Sequence, residues 1–279
     1  MSFRTVSCVT GVNDSNDALA QEILLCRESG FHLSVLVIGI TPPLPIIYTL
    51  GTLSGSGWSE DYAARNVAVL KRVEVVEKQL QLADISADVS VSYSEYFRID
   101  KVVGESARYA DVMLIGANLD RDEKFRQKII YGALLYSAKP LMLCSRAGLH
   151  SFNAKRILIA WDSGLPVSRA INHALWQMKD ADAVHIVIVD PIASTNEGQS
   201  EQGTDLAQYL SRHGLKVRIE QLASGGRSVA RVIGQHAFDM NADLVVMGAY
   251  SHSHLHQLIF GSTTSALLEE LDVAVLMAR

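Results

Sequence analysis

The chain has 279 residues, of which 48% are hydrophobic and 20% are charged, and its formal net charge is −5. This length accommodates one large core or two ordinary domain cores. The negative charge and the lack of a basic run argue against a nucleic-acid partner. No stretch reaches the roughly 18 uninterrupted apolar residues of a membrane span. The first residues also lack the apolar core of a signal peptide, so we expect a cytoplasmic protein without a membrane partner.

The first half of the sequence alternates short apolar runs with segments of helical period. Runs that are apolar at every position are typical of strands covered on both faces, and their alternation with helices favours a parallel sheet. The predicted strands lie near residues 4–10, 33–40, 88–93, 111–116 and 140–144. The three cysteines, Cys8, Cys26 and Cys144, lie in apolar stretches without metal-type spacing, and we interpret them as reduced structural thiols.

An insertion of about twenty residues interrupts the first half at 41–59. Its proline and glycine content predicts a loop, and its isoleucine, tyrosine and tryptophan side chains make that loop unusually apolar. Two interpretations stay open: a flap packed over its own domain, or a ligand lid or partner surface.

The second half repeats the pattern of strands and helices. The apolar runs lie at 156–161, 184–190, 243–249 and 273–278, and the helical segments lie at 166–179, 201–213, 227–240 and 262–271. Its sequence also echoes the first half, because 239–249 resembles 107–117 and 231–237 resembles 101–107. Similarity at this distance indicates a duplicated domain.

We therefore predict an α/β protein made of two repeated, Rossmann-like open sandwich domains. Each has a five-stranded, mostly parallel sheet with helices on both faces, and the domains span 1–147 and 154–279. The last strand of each half, within 139–144 and 272–278, is an apolar sheet edge, and unpaired apolar edges invite pairing.

The segment 248–263 is the candidate binding loop. In open parallel sheets, ligands bind beyond the carboxyl ends of strands, where loops lead into helix N-termini. Gly248 ends a predicted strand, Gly261 would let the backbone approach an anion, and the hydroxyls of Ser262 and Thr263 would add hydrogen bonds. A phosphate site is one interpretation; the simpler one is that Ser262 caps a helix.

The same segment contains His252, His254 and His256 at alternate positions. Imidazoles are frequent metal ligands, but this loop has no Asp, Glu or Cys that would complete a metal site. We expect these side chains to face solvent or to pair weakly with phosphate when protonated.

The glycine pattern resembles the ATP-binding signature of the universal stress protein family. Gly248, Gly261, Ser262 and Thr263 stand at matching spacing, whereas Ser251 replaces the second glycine of the signature. If that glycine adopts positive φ, serine costs about 1–2 kcal/mol, so binding would be weakened rather than abolished.

The resemblance extends to two further segments. Residues 157–175 are similar to the first strand and helix of the family, which implies that Asp162, with Ser163 beside it, contacts the nucleotide. Residues 187–191 are similar to the end of the second strand, which implies that the backbone of Ile188 and Val189 receives the adenine. The resemblance covers both halves, as in a tandem member, and family members usually pair through their last strand. It thus implies an intramolecular pseudo-dimer, with a further homodimer left open.

The first half departs from the family pattern. Thr10 stands where the second half has Asp162, and Gly116 and Gly132 are sixteen positions apart. Ala133 and Leu134 replace the two hydroxyl residues. An apolar side chain against an anion is unfavourable, because the phosphate must still be desolvated. We expect no ATP binding in this half.

No catalytic pattern accompanies the candidate loop, because the sequence has neither a lysine-containing phosphate loop nor a nucleophile elbow. The sequence and the resemblance predict a stress-response regulator whose second domain binds ATP, with or without Mg²⁺, and acts by binding rather than turnover. The alternatives are a slow ATP-hydrolysing enzyme and a scaffold for some other small molecule.

Overall fold

The computed structural model describes residues 3–42, 56–116, 123–145, 152–191, 202–249 and 273–279, with side chains described from residue 59 onward in the second range. The predicted helix at 262–271 and most of the inserted loop fall outside these residues. None of the helices in the described ranges combines the length and the hydropathy that a membrane crossing requires.

The described chain alternates strands and helices. In the first half the elements are β1 (Thr5–Gly11), α1 (Ala20–Ser29), β2 (His32–Ile40), α2 (Ser56–Ala83), β3 (Ala87–Ser94), α3 (Ile99–Ala107), β4 (Val112–Ile115), α4 (Glu123–Tyr131) and β5 (Leu141–Leu143). In the second half they are β6 (Arg156–Ala160), α5 (Leu165–Met178), β7 (Ala183–Val189), α6 (Thr204–Arg212), β8 (Val217–Leu222), α7 (Val229–Asp239), β9 (Leu244–Gly248) and β10 (Ala274–Ala278).

All ten strands belong to one sheet with the order β3-β2-β1-β4-β5-β10-β9-β6-β7-β8. The first five strands and the last five strands follow the same order, counted outward from the centre. Every pairing is parallel except the central one, where β5 and β10 run antiparallel. The predicted α/β class and the mostly parallel sheets are confirmed.

The two halves meet at the antiparallel pair β5 and β10. Met142 lies opposite Leu276, with flanking pairs on both sides, and both of these side chains are fully buried. The two apolar edges are therefore covered by each other, as expected from their sequences.

Helices cover both faces of the sheet. One buried cluster contains side chains of α1, α2, α5 and α6, and a second contains side chains of α3, α4 and α7. Neighbouring positions of a strand alternate between the two clusters, so that β7 points Ile186 to the first and Val187 to the second. Because both faces are covered, most positions of the inner strands are apolar, whereas the edge strands β3 and β8 are more polar.

An aromatic cluster adds a second contact between the halves. Phe3 and Phe31 come from the first half, and Phe152 and Trp176 come from the second. The rings of Phe3 and Trp176 meet edge to face, with centroids 4.9 Å apart, which is a favourable geometry for aromatic pairs.

Two details differ from the sequence-based expectation. Helix α2 begins at Ser56, so the end of the predicted loop 41–59 is helical. Strand β8 was not among the apolar runs, because it forms an edge of the sheet and is only partly buried. The three cysteines are buried and form no disulfide bond, as predicted.

Candidate functional site

The strand order creates a switch point between β6 and β9. From β6 the chain crosses through α5 to β7, on one side of β6, whereas β9 lies on its other side. In open α/β sheets, a crevice opens beyond the carboxyl ends of two such strands. Asp162 follows β6 and Gly248 ends β9, so the fold brings these two predicted site residues to the same crevice.

Asp162 and Ser163 form the turn between β6 and α5. The Oδ1 atom of Asp162 accepts a hydrogen bond from the backbone N–H of Gly164 over 2.8 Å, and Gly164 is the N-cap residue of α5. Ser163 is exposed and adopts φ 61°. The carboxylate is thus fixed at the N-terminus of a helix, where backbone N–H groups and the helix dipole favour anions.

The end of β7 presents backbone groups to the same crevice. The carbonyl of Val187 accepts a hydrogen bond from the N–H of Trp161, so its polar groups point toward β6. Val189 lies two positions further along the strand, so its backbone groups point the same way as those of Val187. The pairing of β6 with β7 ends at Ala160 and Val187, so the backbone groups of Val189 lie beyond it. Ile188 points its backbone toward β8, where it pairs with Gln221. Of the two predicted adenine contacts, the backbone of Val189 is the better placed.

Gly248 lies against the start of α5. A Cβ atom at this position would stand 2.6 Å from the backbone N of Val167 and 3.0 Å from Cβ of Pro166. The close approach therefore requires glycine, and it holds the end of β9 beside the helix N-terminus. The remaining predicted residues, Ser251, Gly261, Ser262 and Thr263, lie outside the described residues, as do the three loop histidines.

The matching strand end of the first half is filled by the chain's own side chains. The backbone N–H of Thr5 donates to Asp111 as that of Arg156 donates to Asp243, so Gly11 is the counterpart of Asp162 and the assignment of Thr10 to that position is wrong. Thr10, on β1, donates its hydroxyl to Asp14 over 2.9 Å and accepts a hydrogen bond from Nη2 of Arg72 over 2.7 Å. Arg72 comes from α2, is 5% exposed, and also donates to the carbonyls of Asp14 and Ser15. Burial lowers the pKa of this guanidinium.

A buried carboxyl group occupies the end of β4. The backbone N–H of Gly116 donates to Oε1 of Glu22 over 2.9 Å, and Glu22 is 1% exposed. Burial raises the pKa of Glu22 from 4.5 to about 7. Oε2 has no hydrogen-bond partner, which fits a carboxyl group that is protonated part of the time.

A cavity of about 420 Å³ lies beside these residues, at the carboxyl ends of β1 and β2. Its lining combines apolar side chains with polar ones: Val12, Ile38, Ile40, Val69 and Phe125 with Asn13, Asp14 and Arg65. The guanidinium of Arg65 donates to Asp61 and to the carbonyl of Ile40. The first half therefore has space for a small molecule at the ends of β1 and β2, next to the positions that Arg72 and Glu22 occupy.

Sequence reasoning identified Thr10 as a departure but missed the roles of Glu22 and Arg72. Arg72 meets Thr10 across 62 positions, and no local pattern reports that contact. Glu22 offered a weak signal, because it is an acidic residue inside the apolar stretch that forms α1.

Comparison with known proteins gives one family for the second half. Residues 153–279 match the model of the universal stress protein family. Universal stress protein Slr1230 of Synechocystis sp. (strain ATCC 27184 / PCC 6803 / Kazusa) is 26% identical over 218 residues, which are 76% of this chain and 67% of that protein.

Solved structures extend the likeness to the whole chain. A universal stress protein from Archaeoglobus fulgidus DSM 4304 aligns with a TM-score of 0.64 and 16% identity, over 98% of this chain and 96% of that one. A protein of unknown function, PA1789 from Pseudomonas aeruginosa PAO1, aligns with a TM-score of 0.52 and 16% identity, over 99% of this chain and 92% of that one. At this level of identity, the two structures show a common fold and nothing finer.

Proposed function

Residues 153–279 belong to the universal stress protein family, and from this premise we propose that the chain acts by binding an adenine nucleotide in its second half. The family supports a role in the stress response. The nucleotide, its site and its effect are the parts that we propose.

The observation that carries the proposal is the crevice between β6 and β9. There the N-terminus of α5 lies between Asp162 and Gly248, with Gly248 packed against the backbone of Val167. In the proposed complex, Asp162 holds the ribose hydroxyls and the backbone of Val189 meets the adenine. The positive end of α5 lies close to the phosphates.

The loop residues supply the rest of the proposed phosphate site. We propose that the backbone around Gly261 and the hydroxyls of Ser262 and Thr263 bind phosphate oxygens. Ser251 replaces the second glycine of the signature and should weaken this binding. Substitution Gly261→Val should block close approach and largely abolish binding. Ser262→Ala should cost about 0.5–3 kcal/mol, depending on whether the lost hydrogen bond involves a charged oxygen.

The first half should not bind ATP, so the expected stoichiometry is one nucleotide per chain. Arg72 already donates to Thr10, the neighbour of Gly11, which is the counterpart of Asp162, and Glu22 already accepts from Gly116. A nucleotide would have to displace both interactions, and each leaves a buried polar group without its partner.

Calorimetric titration with ATP tests the assignment through two matched variants. Asp162→Asn removes the carboxylate of the second half, and Thr10→Asn changes the residue next to Gly11, which is the counterpart of Asp162 in the first half. We expect the former to weaken ATP binding about tenfold or more, the usual effect of losing a hydrogen bond to a charged group. The latter should leave it unchanged. Equal effects of the two variants would contradict the proposal.

An assay of phosphate release on the same samples separates binding from turnover. We propose that ATP is retained, with or without Mg²⁺, and not hydrolysed at a useful rate. Phosphate release that Asp162→Asn abolishes would favour the slow ATP-hydrolysing enzyme instead.

A second candidate function rests on the cavity of the first half. Its apolar lining beside Arg65 and Asn13 suits a small molecule with an apolar body and an anionic or hydrogen-bonding group. The fluorescent anion 1-anilinonaphthalene-8-sulfonate has that composition. Its binding should be lost when Ala68→Phe fills the cavity and should persist in Asp162→Asn. Loss of binding in Asp162→Asn but not in Ala68→Phe would place the dye in the second half.

The remaining assignments belong to the same proposal. We place the protein in the cytoplasm and expect no nucleic-acid partner. The pairing of β5 with β10 supports an intramolecular pseudo-dimer, and a further homodimer is an open part of the proposal. Light scattering of the purified chain distinguishes the monomer from the homodimer.

A further inference from the structure

A cluster of two histidines and one glutamate lies away from the proposed nucleotide crevice. It consists of His185 on β7, Glu220 on β8 and His236 on α7. Nδ1 of His185 is 2.5 Å from Oε1 of Glu220, and Nε2 of His236 is 2.7 Å from Oε2 of the same carboxylate. The carboxylate thus lies between two imidazole rings.

The sheet register explains how the cluster forms. Val187 pairs with Glu220 and packs on the α7 face of the sheet. His185 lies two positions before Val187, so the side chains of His185 and Glu220 both point to that face. On α7, His236 lies three positions after the buried Ile233, which packs on that same face. Three separate elements therefore direct their side chains to one point.

The three side chains offer a set of metal ligands. One ligand atom from each lies within 4.8 Å of the others, and all three residues are partly buried. Zinc–ligand bonds of about 2.0–2.1 Å at tetrahedral angles place ligand atoms roughly 3.3 Å apart. Side-chain rotations that open the two nitrogen–oxygen contacts by less than about 1 Å, and that bring the two imidazole nitrogens together from within 4.8 Å, would reach this geometry.

The nitrogen of His236 provides an independent observation. Its Nε2 atom is shielded from solvent and makes no hydrogen bond of acceptable geometry, although it lies within ion-pair distance of Glu220. Buried polar atoms without a hydrogen bond are rare and unfavourable in folded proteins. A bound cation would satisfy this nitrogen.

We propose that His185, Glu220 and His236 bind one divalent transition-metal ion, with Zn²⁺ favoured by the ligand set. Two imidazoles and one carboxylate suit zinc and leave its fourth position to water. The ion would join the edge strand β8 to β7 and to α7, and so would clamp the outer end of the sheet.

The cluster differs from the His32 site of the first half. His32 also meets a carboxylate, Asp88, at 2.6 Å, but its other ring nitrogen bonds to the hydroxyl of Ser86 and the group is exposed. The nucleotide crevice lies at the carboxyl ends of the strands, whereas His185 is the third residue of β7. Zinc and ATP should therefore bind independently, and this proposal does not rest on the proposed function.

Titration with ZnCl₂ of the full chain, freed of metal by a chelator, tests the proposal. Because the loop histidines could also bind zinc, the titrated protein carries His252→Asn, His254→Asn and His256→Asn. We expect one zinc ion per chain in this background. Added His185→Gln or His236→Gln should weaken binding by more than the roughly tenfold loss that follows removal of an outer partner of a metal ligand. The matched control His32→Gln should bind as before.

Two further measurements keep the result decisive if a histidine variant unfolds. Glu220→Gln keeps the shape of the side chain and should weaken zinc binding while circular dichroism stays unchanged. X-ray absorption of the zinc complex should show two imidazoles and oxygen ligands. Failure of the loop-histidine background to bind zinc, unchanged affinity in Glu220→Gln, or sulfur ligands in the absorption spectrum would each overturn the proposal.

Discussion

Gly116 donates its backbone N–H to the carboxyl group of Glu22 over 2.9 Å, at the end of the strand that corresponds to β9 of the second half. The counterpart of Gly116 there is Gly248, which lies against the backbone start of α5 instead. The same strand order thus gives two different switch points. A side chain of the protein occupies one of them, and a helix N-terminus borders the other.

The buried carboxyl of Glu22 should make stability depend on pH. Its pKa is about 7 in the folded chain, against an ordinary value of 4.5, so the folded chain holds a proton that the unfolded chain releases. This contribution to stability is fully present below about pH 4.5 and is lost as the pH rises through 7. Glu22→Gln removes it. The free energy of unfolding of the variant, relative to that of the wild type, should therefore rise by up to about 3 kcal/mol between about pH 4.5 and pH 8.

Urea unfolding of both proteins across this pH range measures the difference. Glu28→Gln, on the exposed side of α1, serves as the control and should not change the pH profile. A Glu22→Gln profile that runs parallel to the wild type would show that the carboxyl titrates normally.

Placing an aspartate near the end of β1 should not create a second ATP site. In Thr10→Asp the new carboxylate would stand beside Arg72, whose Nη2 atom is 2.7 Å from the Thr10 hydroxyl. The new carboxylate would pair with the buried Arg72 and would be repelled by Asp14, whose carboxylate lies 2.9 Å from the Thr10 hydroxyl, so it would not be available to a ribose. Calorimetry should still find one ATP per chain, and a second binding event would show that Arg72 does not close the site.

Substitution Gly248→Ala should affect stability and nucleotide binding together. The added Cβ would stand 2.6 Å from the backbone N of Val167, so β9 and α5 must separate, at a cost of about 1–3 kcal/mol. The separation also disturbs the crevice next to Asp162. Gly11→Ala is the matched control, since a Cβ there would meet its nearest neighbour, Phe125, at 3.4 Å. Thermal unfolding and ATP titration of both variants check this, and full ATP affinity in Gly248→Ala would contradict it.

The joint between the halves should contribute strongly to folding. Met142 faces Leu276 across β5 and β10, and both are fully buried. Met142→Ala should destabilise the chain by about 2–5 kcal/mol, the usual range for truncating a buried side chain. Leu24→Ala, at a position that is 39% exposed, should have a much smaller effect in the same urea experiment. Equal losses would mean that the joint is not tightly packed.

Local patterns were sufficient to predict most of the strands and which of them are buried on both faces. Strands covered on both faces are mostly apolar, so β6, β9 and β10 stand out in the sequence. Strand β8 did not, because an edge strand needs only partial burial. The contacts of Arg72 with Thr10, and of Glu220 with two histidines, join residues that are far apart in the sequence, and only the register of the sheet and the helix packing bring them together.

The candidate site, too, could be predicted from the sequence only in part. Gly248 was chosen from its position at a strand end and Asp162 from the resemblance to the family, and the fold brings both to one crevice. Which backbone groups of β7 face that crevice could not be read from the sequence, because Ile188 and Val189 are both apolar and only the pairing with β6 and β8 separates them.

The central claim is that ATP binds in the second half alone, and photolabelling with 8-azido-ATP followed by peptide mapping tests it most directly. The claim predicts label on peptides from 154–279, foremost on the peptide that contains Val189, and its loss when unmodified ATP is added in excess. Gly261→Val should abolish the label, and Thr10→Asn should leave it unchanged. ATP-competed label on peptides from 1–147, or no label that ATP competes for, would contradict the claim.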